Sequence, residues 1–118
     1  MVNNDSNTHF GAILENKKRI LFIADKNRNL TLPKSLNSQK NLEGLEDYLK
    51  GLTLKFKLDF LYSVYEDKEK NSHMIFYHGK FSGNGNITTV TFDINQIPYE
   101  KIINNAERTM MKRYHDEY

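Results

Sequence analysis

Between Leu54 and Val64 every even-numbered residue is apolar or aromatic: Leu54, Phe56, Leu58, Phe60, Tyr62 and Val64, with Lys55, Lys57 and Asp59 interleaved. Successive side chains of an extended chain point to opposite faces, so this alternation predicts one long, half-buried strand with a single apolar face. A strand of that kind needs partners. His73 to Phe81 predicts the second arm of an antiparallel hairpin, across a charged loop from Glu66 to Ser72. Arg19 to Ala24 (RILFIA) is a continuous apolar run ahead of DKNRN, which predicts a buried strand followed by a turn. Shorter strands are expected at His9 to Leu14, Leu30 to Leu32 and Ile87 to Phe92, with Gly83 to Asn86 as a turn. Pro33 stops the third of these and disfavours helix before it.

Two segments carry helical spacing. Leu42, Leu45, Leu49 and Leu52 form one apolar stripe, with Asn41 as its N-cap and Gly51 near its end. Ala106, Met110 and Tyr114 mark a terminal helix to about Asp116, and Pro98 suits the first turn of a short helix to Asn104. Residues 34–41 read as a polar loop and residues 1–8 as a flexible start. The expected class is therefore α/β in the loose (α+β) sense, a mixed sheet with flanking helices in one domain over residues 1–118.

Composition excludes several functions. The formal charge is +2 and the lysines and arginines are scattered, which does not suit a nucleic-acid-binding face. Cysteine is absent, which removes disulfides, thiolate metal sites and Cys nucleophiles and favours a reducing cytoplasm. The start MVNNDSNTHF lacks an apolar core of signal-peptide type, and no apolar run approaches membrane-spanning length.

The order of elements, together with RILFIADKNRNLTLP, FLYSVYEDKEKNSHMIFYHGKF and TFDINQIP, resembles the Nudix fold over nearly the whole chain. The first string is similar to the run in which a buried strand leads through a turn to a W-x-L-P segment. The stretches LYSVYED, IFYHG, QIPYEKI and RTMMKRYHDE also resemble Nudix-like modules that accompany flavin reductase-like domains.

The resemblance implies a catalytic box, G-x5-E-x7-R-E-U-x-E-E-x-G-U with U a bulky aliphatic residue, which gathers carboxylates around divalent metals that bridge phosphates. The corresponding region is PKSLNSQKNLEGLEDYLKGLTL, from Pro33 to Leu54, where Lys34-Ser35 replaces the glycine pair. Placed forward from Pro33, the first Glu of the box falls on Asn41 and the Arg-Glu on Leu49-Lys50. Placed backward from Gly51-Leu52, the Arg-Glu falls on Gly44-Leu45. A third register lays Leu42 to Asp47 on R-E-U-x-E-E and keeps Glu43, Glu46 and Asp47 as candidate Mg²⁺ ligands. It loses the Arg, needs a shorter loop and puts Leu49 in place of Gly. The same three acids also read as the solvated face of a helix, near an N-terminus that favours negative charge.

Other candidates have competing readings. Tyr62, Tyr65, Phe76 and Tyr77 suit stacking on a nucleobase or flavin ring, or cross-strand core packing. GKFSGNG, from Gly79 to Gly85, precedes a strand rather than a helix and so reads as a hairpin turn, not a phosphate loop. His9, His73, His78 and His115 form no zinc motif and read as surface or packing residues.

The expectation that follows is a catalytically degenerate Nudix-like domain that binds a small nucleotide-like ligand or a protein partner. It has no assigned catalytic residue, no required cofactor, no nucleic-acid or membrane partner, and a homodimer is compatible with it. The alternatives are a weakly active Mg²⁺-dependent hydrolase of nucleoside diphosphate-linked compounds and an accessory or structural subunit of a flavin-dependent enzyme. Exposed aromatics along an edge strand would favour partner binding. A pocket with convergent carboxylates would favour the hydrolase.

Overall fold

The computed structural model describes residues 8–35, 41–67 and 71–118. Its elements run β1 (Thr8–Asn16), β2 (Arg19–Ala24), β3 (Leu30–Thr31), α1 (Leu42–Gly51), β4 (Lys55–Asp67), β5 (Ser72–Ser82), β6 (Thr89–Asp93) and α2 (Asn105–Glu117), with 3₁₀ turns at Ile94–Gln96 and Tyr99–Lys101. Every expected strand and both long helices are present. The segment from Pro98 to Asn104 holds a 3₁₀ turn in place of the expected helix, and residues 1–7, 36–40 and 68–70 lie outside the described chain. The loops expected at 34–41 and from Glu66 to Ser72 fall partly there.

The strands form one mixed sheet in the order β3-β2-β1-β5-β4, with β6 joined to β2. β1 runs parallel to β5 from Thr8 opposite His73 to Glu15 opposite Lys80, and β2 pairs antiparallel with β6 from Arg19 to Ile23. Neighbouring residues of β1 and β2 feed opposite faces. Ile13, Ile20 and Phe22 pack with Met110, Met111 and Tyr114 of α2, whereas Ala12, Leu14 and Leu21 pack with Leu45 and Leu49 of α1. The sheet is thus the middle layer of three.

Helix α1 forms as its stripe predicts. The Asn41 side chain accepts a hydrogen bond from Gly44 N at 2.7 Å, capping the first turn, and Leu45 and Leu49 are fully buried. Helix α2 repeats the device, with Asn104 accepting from Glu107 N at 3.0 Å.

The long strand departs from its expected pattern. β4 has two more residues than β5, and the register with β5 shifts between Leu58 and Phe60 and again between Leu61 and Ser63, so Asp59 and Tyr62 are inserted as bulges. Each bulge flips the alternation. Phe56 and Leu58 pack on the α1 side, Phe60 stacks on His78 and Tyr62 meets Tyr114 edge to face on the α2 side, and Val64 is opposite Ile75 with 58% of its surface exposed. The single apolar stripe is therefore cut into three pieces.

Gly79 lets β4 and β5 approach just before the first bulge, since a Cβ there would lie 2.6 Å from the backbone oxygen of Lys57. A Cβ at Gly51 would meet nothing within 4 Å. Urea unfolding is expected to show Gly79→Ala less stable by about 2 kcal/mol, the cost of overpacking a fixed backbone. Gly51→Ala should be neutral or slightly stabilising. Equal effects would contradict the close approach.

Candidate functional site

An apolar pocket of about 340 Å³ opens where β2, β3 and β6 meet the Pro98–Lys101 segment, lined by Ala24, Leu30, Val90, Phe92, Pro98, Arg28 and Lys101. Its two cations arrive by separate routes. Asp25 folds the DKNRN turn on itself, its Oδ1 accepting from Asn27 N at 2.8 Å and Asn29 N at 2.9 Å. Arg28 N donates to the Asp25 carbonyl at 2.9 Å, with Arg28 in the left-handed region at φ 65°. That conformation costs a non-glycine residue about 1 kcal/mol and is held by the Asp25 contacts. Lys101 closes a 3₁₀ turn begun at Pro98, and the Leu30–Ile102 bridge fastens that turn to β3. Among the described residues neither the Arg28 guanidinium nor the Lys101 ammonium has a carboxylate partner. An apolar chamber with two unpaired cations suits a ligand with a flat or apolar body and an anionic group.

The region that the resemblance matches to the box behaves differently. Pro33 to Ser35 lies along β1: Ala12 N donates to the Pro33 carbonyl at 3.0 Å and Ser35 N to the Phe10 carbonyl at 2.7 Å. Lys34, which stands where the resemblance has glycine, forms an ion pair with Glu107 of α2. Glu107 is fully buried, and its other oxygen accepts from Leu32 N at 2.7 Å. This lysine is committed to structure. Glu43 and Asp47 are exposed on α1 one turn apart, and Glu46 is half-buried. Among the described residues no three His, Cys, Asp or Glu side chains are gathered closely enough to hold a metal ion, Glu43, Glu46 and Asp47 included.

The four hairpin aromatics do not share a surface. Tyr62, Tyr65 and Phe76 join the core under α2, Phe76 with no exposed area, while Tyr77 stacks on Phe10 on the opposite face with ring centroids 6.4 Å apart. Arg28 and Lys101, which the sequence reading did not single out, are 73 positions apart, and no local pattern links them. A polar chain lies under α2 as well, buried at His78 and Tyr114 and more open at Glu15 and Asp59. Tyr114 donates to Glu15 Oε1 at 2.8 Å, His78 Nε2 is 3.0 Å from the Tyr114 hydroxyl, and His78 Nδ1 is 3.5 Å from Asp59 Oδ2. His78 thus takes the packing role expected of it.

Burial first, and the bond to Glu15 second, push the Tyr114 hydroxyl well above the usual tyrosine range. The folded chain therefore keeps a proton that the unfolded chain releases near pH ~10. Stability is fully present below that pH and falls as pH rises beyond it. In urea titrations from about pH 8 to 11, Tyr114→Phe should unfold about 1 kcal/mol more easily at the lower pH and show a shallower alkaline decline than the parent. Parallel declines would contradict the assignment to Tyr114.

No protein-family model matches the sequence, and no curated protein does. Solved structures do match in shape. A NUDIX hydrolase from Nitrosomonas europaea is 19% identical with a TM-score of 0.78, over 93% of this chain and 70% of that one. A putative oxidoreductase from Sinorhizobium meliloti 1021 is 24% identical with a TM-score of 0.76, over 93% of this chain but only 39% of that one, so this chain spans about two-fifths of its length. An ADP-ribose pyrophosphatase from Streptococcus suis is 13% identical with a TM-score of 0.66, over 91% and 90% of the two chains. The six-stranded mixed sheet between two helices is a Nudix-like fold.

Proposed function

We propose that this Nudix-like domain is a catalytically degenerate binding module that takes a small, anionic, nucleotide-like ligand in the pocket between Arg28 and Lys101. The observation that carries the reading is the pairing of apolar walls from Leu30, Val90 and Phe92 with two cations, Arg28 and Lys101, that have no carboxylate partner among the described residues. A nucleobase-sized ring fills the apolar part, and a phosphate group answers the charges. The altered box supports binding without turnover: Lys34 is tied to Glu107, and the α1 acids stay on the helix surface. The partial overlap with the longer oxidoreductase supports a role beside another domain.

Calorimetry with ADP and ADP-ribose tests this reading. One of the two should bind, and Arg28→Ala and Lys101→Ala should each weaken binding about tenfold, roughly 1.4 kcal/mol. Adding Mg²⁺ should neither raise the melting temperature nor start hydrolysis. Binding unchanged in both variants would remove ligand recognition from this pocket. Mg²⁺-dependent hydrolysis that is lost in a Glu43→Ala/Asp47→Ala variant would establish the hydrolase reading instead.

A further inference from the structure

β4 is the terminal strand of the sheet, and among the described residues nothing pairs with its outer edge. It is 13 residues long, and it carries Phe60, Leu61 and Val64 at 45%, 49% and 58% exposure. A long edge with unpaired backbone groups and exposed apolar side chains invites another strand. The strand is also electrically polar, beginning with Lys55 and Lys57 and ending with Glu66 and Asp67. Lys57 lies directly opposite Lys80 of β5, a cross-strand pairing of like charges that costs stability in the isolated chain.

We propose that β4 is the contact strand of a homodimer, two copies pairing antiparallel edge to edge about a two-fold axis near Leu61. Leu61 lies midway between Lys55 and Asp67, so the axis sets the basic end of each strand against the acidic end of the other copy. A two-fold contact must be self-complementary, and this charge order is complementary only in the antiparallel sense. The acidic end of the second copy also offsets the Lys57–Lys80 repulsion. The apolar residues Phe60, Leu61 and Val64 sit at the centre, where an interface is driest. The bulges at Asp59 and Tyr62 bend the strand, so pairing is by short segments flanking the axis rather than by one continuous ladder. The ligand pocket lies at the opposite side of the sheet, and this inference does not rest on it.

The test uses the absence of cysteine. A residue on a two-fold axis faces its own copy, and paired Cα atoms across antiparallel strands lie within disulfide reach. Under mild oxidation Leu61→Cys should cross-link to a covalent dimer, while Ile103→Cys, more exposed but beside β3 at the far end of the sheet, should not. By sedimentation, Lys55→Glu and Asp67→Lys, which the axis at Leu61 sets opposite each other, should each weaken the dimer about tenfold. An equimolar mixture of the two variants should regain heterodimer, and raising salt from about 0.1 to 1 M should weaken the parent dimer. Circular dichroism checks that each variant folds. A monomeric parent at micromolar concentration, a dimer indifferent to both charge reversals, or Leu61→Cys that cross-links no faster than Ile103→Cys would each overturn the proposal.

Discussion

The parallel pairing of β1 with β5 is the contact on which the other layers rest. Ala12, Ile13 and Leu14 are consecutive and fully buried, so β1 is covered on both faces. One face receives α1 and the other α2. The close passage of Gly11 against the Phe76 ring, where a Cβ would come within 2.5 Å, lets Pro33 to Ser35 lie along the same strand. These partners are about 65 positions apart (Thr8 opposite His73), so the pairing closes a long loop at considerable entropic cost. What offsets that cost is the removal of apolar surface from water on two sides of one strand. Neither helix would have a surface to dock on without it.

Much of this arrangement was legible in the sequence, and the rest was hidden for identifiable reasons. Helix α1 announced itself through a leucine stripe and an asparagine cap, both local signals. β4 announced its extended state through alternation, but its faces could not be read, because a bulge is a mismatch between two strands and only β5 supplies the second. The loss of the box glycines at Lys34-Ser35 was visible. The destination of the Lys34 charge was not, since Glu107 lies 73 positions away. The pocket was hidden because its cations come from separate parts of the chain: a local Asp25 turn sets Arg28, but only the long-range bridge between Leu30 and Ile102 brings Lys101 beside it.

The Lys34–Glu107 pair belongs to the scaffold. A buried ion pair contributes modestly to net stability, but removing one member leaves a stranded charge. Glu107 also accepts from Leu32 N, so one carboxylate ties the start of α2 to the segment that follows β3. That segment is positioned by an interaction that makes no use of a phosphate or a metal. Function resides in sites placed on folds, and here the supporting pair, Lys34 and Glu107, and the pocket cations, Arg28 and Lys101, are different residues.

The two bulges of β4 act like paired frameshifts in a reading frame. One inserted residue inverts every face downstream of it, and the second restores the original phase, which is why Phe56 and Val64 point the same way despite the irregularity between them. The 13 residues of β4 thereby keep step with the 11 of β5. Loss of either Asp59 or Tyr62 alone would throw one end of the strand onto the wrong face, whereas loss of both would leave the two ends in phase. A sequence lineage could therefore shed this irregularity only in one double step, or by passing through an intermediate with a misfaced strand.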